Sequence, residues 1–108
     1  MKVGIILCQQ TEDLCPGTGD FAAVEKKSGA FETLGDCTIV GFVSCGGCPG
    51  SKAIARAQAL MDRGAQAIAL ATCITKGNPD GFPCPNRDSI LQALRKKCKE
   101  VPVLEYTH

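Results

Sequence analysis

Short, unbroken apolar runs alternate along the chain with longer segments whose apolar residues recur every three or four positions. Residues 2–8 carry Val3, Ile5, Ile6 and Leu7 with no polar interruption, the pattern of a strand buried on both faces rather than a half-exposed one. Residues 37–43 and 67–71 repeat that pattern, and 101–104 supply a fourth short run. Between the first two runs, Phe21, Val24 and Phe31 stand at helical spacing after a loop over 15–19, with Thr18 or Asp20 as the N-cap. Gly29 predicts that this helix ends early, and Gly35-Asp36 reads as the turn that follows. A second helix places Ile54, Ala57, Leu60 and Met61 on one face and is closed by Gly64. Residues 73–85 read as a long loop rich in Gly and Pro, after which Asn86 caps a helix bearing Ile90, Leu91 and Leu94.

The order βαβαβαβ, with right-handed crossovers, predicts a four-stranded parallel sheet between two helical layers. This is a three-layer α/β fold of flavodoxin or Rossmann type, with strand order 2-1-3-4. No linker, repeat or low-complexity segment divides the chain, so residues 1–108 read as one domain.

That topology gives the cysteines a meaning. In an open parallel sheet the loops that follow the strands all emerge at the carboxyl edge, and ligands bind there, where the strand order reverses. Cys8 ends the first strand and Cys15 lies in its loop; Cys45 and Cys48 follow the second strand, Cys73 and Cys84 the third, and His108 the fourth. Six of the eight cysteines and the single histidine are therefore expected on one edge. Cys37 and Cys98 fall toward the other edge and read as structural.

Cys45 and Cys48 in Ser44-Cys45-Gly46-Gly47-Cys48-Pro49-Gly50 form a Cys-x-x-Cys. Gly46 and Gly47 allow a tight turn expected to fold both sulfurs inward, and the following helix directs its positive amino end at them. Such a pair brings two thiolates to one ion, and other loops can complete the four ligands of zinc or of an iron–sulfur cluster. The expected ligand set is Cys8, Cys15, Cys45, Cys48, Cys73, Cys84 and His108, with zinc ahead of an iron–sulfur cluster. Lys52, Arg56 and Lys76 stand near enough in sequence to offset thiolate charge. The same Cys-x-x-Cys also suits a thiol-disulfide redox protein, but that reading leaves the other edge cysteines without a task. A third reading is an interaction or sensor module whose metal only orders the loops. Against all three stands a plain alternative for Cys8 and Cys73: cysteine at the end of a buried strand packs as a small apolar residue.

Composition narrows the partners. Lys and Arg number 12 against 11 Asp and Glu, and the aromatic content is 5%, so neither a basic stripe nor a stacking platform for nucleic acid is expected. No run approaches the ~20 apolar residues needed to cross a bilayer, and the apolar stretch after Lys2 is too short for a signal peptide. No membrane partner is expected, the cytoplasm is the expected compartment, and any protein or redox partner is left open. The first Arg after Cys8 is Arg56, which excludes the usual cysteine phosphate loop, and no Gly-x-x-x-x-Gly-Lys-Ser/Thr occurs. A terminal His108 is poorly held for a serine triad.

Val40-Gly41-Phe42-Val43-Ser44-Cys45-Gly46-Gly47-Cys48-Pro49-Gly50, a Leu-Ala-Thr-Cys segment at 70–73, Cys84-Pro85 and the closing Thr107-His108 together resemble the CGGC-domain family of small bacterial and archaeal proteins. The resemblance spans essentially the whole chain. It implies metal binding, strengthens the place of Cys15 and His108 in the ligand set, and implies no particular reaction. Members of that family often carry a basic residue near the first Cys-Pro, where this chain has Asp13-Leu14.

Overall fold

Strand β1 (Lys2–Leu7) is buried at every residue after Lys2, because it is hydrogen-bonded on both sides and covered on both faces. It pairs in parallel with β2 (Thr38–Ser44) on one side and with β3 (Ala67–Leu70) on the other. A short β4 (Val103–Leu104) joins β3, so the order is β2-β1-β3-β4, all parallel, as the sequence predicts. The computed structural model describes residues 1–11, 15–77 and 84–108; Asp13-Leu14 and the loop residues Pro79, Gly81 and Pro83 lie outside them.

The layers follow from one pair of neighbours on β2. Gly41 is paired with Gly4 of β1, and a Cβ on either would meet Leu60 of α2 (Lys52–Asp62) at 2.2 or 2.8 Å. The adjacent Phe42 stacks instead on Phe21 of α1 (Thr18–Lys26), with ring centroids 5.1 Å apart. Consecutive strand residues point to opposite faces, so α1 and α2 cover opposite sides of the sheet. α4 (Arg87–Lys97) contributes buried Ile90 and Leu94 and packs beside α2. The core is the fully apolar β3, the buried face of β1, and Ala53, Ala57 and Leu60 of α2. Two small glycines thus seat one large leucine, which brings α2 close to the sheet.

Three local expectations change. Helix α1 starts after Gly17, and neither Thr18 nor Asp20 caps it through its side chain; Asp20 has a tertiary partner instead. The same helix ends at Lys26, and Phe31 reaches the core from a separate 3-10 turn, Gly29–Phe31. Directly after β3, where a loop is expected, residues Thr72–Thr75 form a single helical turn, α3. Among the described residues no helix is long and apolar enough to cross a membrane.

The Gly41 contact predicts that Gly41→Ala lowers unfolding stability by about 1–3 kcal/mol through overpacking. In a double-mutant cycle with Leu60→Ala, the two losses should sum to more than the loss in the double variant, because trimming Leu60 relieves the clash. Urea unfolding of the four proteins checks this; strictly additive losses would contradict the seat.

Candidate functional site

β1 leads toward β2 through α1 on one face, whereas β2 and β3 lead onward through α2 and α4 on the other. The strand order therefore reverses between β1 and β3, and the crevice between their carboxyl ends is where such sheets bind ligands. Cys8 and Cys73 meet there: the Cys8 N–H donates to Cys73 Sγ at 3.4 Å. Cys73 is buried in α3 and Cys8 is half-buried. On the other flank of β1, Cys45 is buried, and its N–H donates to the Leu7 carbonyl at 2.8 Å, one step past the last ladder pair. Three cysteines thus follow three neighbouring strands, and Cys45 is held to the sheet by a main-chain hydrogen bond.

The Cys-x-x-Cys turn departs from expectation in one respect: Cys45 is buried but Cys48 is exposed. Gly46 and Gly47 have φ of +84° and +100°, a backbone that side-chain-bearing residues rarely adopt. A Cβ at Gly46 would also strike Lys52 Cβ at 2.6 Å, and one at Gly47 would strike Gln9 Oε1 at 2.7 Å. Arg56 braces the turn by donating to the Ser44 carbonyl at 3.0 Å and to Ser44 Oγ at 2.9 Å, while Ser44 Oγ accepts the Gly46 N–H at 3.3 Å. Arg56 therefore places positive charge beside the turn, whereas the Lys76 ammonium lies 3.8 Å from the centre of the Tyr106 ring.

Cys84 is half-buried, donates its N–H to the Ile74 carbonyl at 2.8 Å, and accepts the Asn86 N–H on its sulfur at 3.4 Å. Cys15 is half-buried just ahead of α1. Cys37 precedes β2 and Cys98 caps the end of α4, both away from the carboxyl edge. Burial pushes the Cys98 thiol up, and nearby Lys97 offsets this only in part. Among the described residues, no group of three or more His, Cys, Asp or Glu side chains is arranged to hold a metal ion. The structure brings Cys8 and Cys73 together and places Cys45 on the other flank of β1, without closing a coordination sphere among the described residues.

The sequence profile of the CGGC domain spans residues 2–108. The chain belongs to the CGGC domain family. An uncharacterized protein of Methanocaldococcus jannaschii is 40% identical over 116 residues, an alignment covering all of this chain and 87% of the relative. No solved structure matches the chain.

This CGGC domain has a polar centre at the same edge that the cysteine pattern does not reveal. Asp20, 2% exposed, accepts a hydrogen bond from Thr107 Oγ1. Thr107 is fully buried and also accepts the Thr72 N–H at 3.3 Å. Thr72 Oγ1 in turn accepts the N–H groups of Thr107 and His108 at 3.2 and 2.9 Å and donates to the His108 carbonyl at 3.0 Å. The His108 Nε2 stands 3.7 Å from Asp20 Oδ1, with its ring over Gly19. Gly29 faces the Thr107 carbonyl so closely that a Cβ there would lie 2.2 Å from it. The closing Thr-His is therefore fastened between α1 and α3. An acidic residue inside the first turn of α1, unused as a cap, was the available signal.

Thr107→Val should destabilise the fold by about 1–3 kcal/mol, since it leaves the buried Asp20 carboxylate without its hydroxyl donor. Urea unfolding checks this; a loss below the size of an ordinary surface substitution would contradict the network. Timed thiol alkylation followed by mass mapping should also label exposed Cys48 well before Cys98.

Proposed function

We propose that this CGGC domain binds a soft metal ion through thiolates gathered at the reversal of strand order, with zinc as the first choice and an iron–sulfur cluster as the second. One observation carries the reading: Cys8 and Cys73, from adjacent strands, touch in the crevice where this class of sheet binds ligands. The donors suit such an ion chemically, as thiolate sulfur and imidazole are its preferred ligands. Cys8, Cys73 and Cys45 would form the nucleus, and Cys48, Cys84, Cys15 and His108 supply the remaining ligands. His108 points Nε2 toward Asp20, which leaves Nδ1 for an ion and provides the carboxylate partner that ligating histidines usually have.

Because no three donors stand in place among the described residues, binding must draw the Cys45–Cys48 turn or the Cys84 segment toward Cys8 and Cys73. Metal binding is then coupled to ordering of the edge and to release of thiol protons. A reducing compartment such as the cytoplasm keeps those thiols available.

A second reading rests on the contrast of exposed Cys48 with buried Cys45. An exposed thiolate attacks a partner disulfide and a sheltered neighbour resolves the mixed disulfide, releasing the reduced partner and leaving a Cys45–Cys48 disulfide. The two readings separate on protein purified without oxygen. The metal reading expects stoichiometric zinc or iron, about four thiols protected from alkylation, and loss of both in Cys8→Ser and Cys73→Ser but not in Cys37→Ala. It also expects a stability gain of about 2.7 kcal/mol when free metal exceeds Kd a hundredfold. Absence of metal, with thiols lost reversibly in pairs on oxidation, would overturn it in favour of the redox reading.

A further inference from the structure

A cleft of about 430 Å³ lies between the end of α3, the outer face of α4 and the segment after β4. It is large enough for a small organic molecule. Arg87, Leu91 and Arg95 follow one another at four-residue spacing along α4 and line it, facing Lys76, Glu105 and Tyr106.

The charges in this cleft are unequally matched. Arg95 is paired with Glu105. Lys76 has no carboxylate within ion-pair distance among the described residues, and its ammonium is held over the Tyr106 ring at 3.8 Å. Arg87 donates to the Thr75 carbonyl at 2.6 Å, which fixes the guanidinium in place, and its one carboxylate within ion-pair distance among the described residues, Asp88, also lines the cleft, stands 3.7 Å away and is 83% exposed. An ion pair that open to water is weak and screened. The cleft therefore presents two cations with little compensation, one of them held rigid.

We infer that this cleft binds a small organic anion: a phosphate or carboxylate group against Lys76 and Arg87, and a planar or apolar part along Leu91 and Tyr106. Arg87 supplies a guanidinium whose planar N–H groups match either anion, and Lys76 supplies a point charge. The inference does not depend on the thiols holding a metal, since none of its residues is a cysteine.

Isothermal titration of the full-length chain with phenyl phosphate and with benzoate tests it, with phenol as the neutral control. One or both anions should bind saturably, more weakly as salt is raised, while phenol does not; which anion binds tells phosphate from carboxylate. Lys76→Gln and Arg87→Gln should each weaken binding at least about tenfold, the loss of a charge-assisted contact, with thermal unfolding showing that both variants remain folded. Failure of both anions to bind saturably would overturn the proposal. So would affinities unchanged in the Lys76 and Arg87 variants.

Discussion

The carboxyl edge depends on β1 being hydrogen-bonded along both sides. In a parallel sheet the crossover helices cover both faces, so a central strand is apolar throughout and is covered from above and below. Val3, Ile5, Ile6 and Leu7 satisfy the first demand; α1 on one side and α2 with α4 on the other satisfy the second. The paired Gly4 and Gly41 let Leu60 approach the backbone, which fixes α2 and therefore the turn from which α2 starts. The hydrogen-bond pattern then continues one step beyond the strands. Leu7 accepts from Cys45, and Ile6 accepts from Ala71, just before α3. The backbone at the candidate site is thus placed by the sheet, and only the loops beyond it have freedom to close around a ligand.

The central strands β1 and β3 were legible because burial on both faces leaves a clear mark, an apolar run with no alternation, whereas the edge strands β2 and β4 carry similar runs but are only half-buried. Gly64, the stop of α2, was legible for a similar local reason, since its φ of +105° is a backbone that glycine adopts without strain. What the sequence concealed depends on long-range contacts. Gly29 reads as a helix breaker, yet it is also required by the close approach of Thr107, far along the chain. Asp20 reads as a cap, yet it is turned toward Thr107 and His108. Residues 72–75 read as loop because one helical turn has no periodicity to detect. The shared edge of the cysteines followed from topology alone. That Cys45 is buried and Cys48 exposed did not, because Gly-Gly permits several turns and the one adopted is selected by Arg56, Lys52 and Gln9.

The single turn α3 shows how the parts of this edge are joined. A helix of four residues has almost no stability of its own, because nucleation costs more than one or two hydrogen bonds return. Its position must come from outside, and three anchors supply it. Thr72 is tied to Thr107 and His108, the Ile74 carbonyl accepts from Cys84, and the Thr75 carbonyl accepts from Arg87. Each anchor belongs to a different part of the chain: the closing dipeptide, the Cys84-Pro85 segment, and the start of α4. Cys73 sits between them, so its place opposite Cys8 is set by contacts that involve no sulfur atom. The Thr-His ending and the Cys-Pro segment therefore share a physical task whatever else they do: they hold one cysteine of the central pair against the end of β1. Arg87 takes part in the same task from the far side of α3, where the charged cleft begins. Arg87 is bonded to the Thr75 carbonyl, two residues from Cys73, so the cleft and the thiol pair border the same single helical turn.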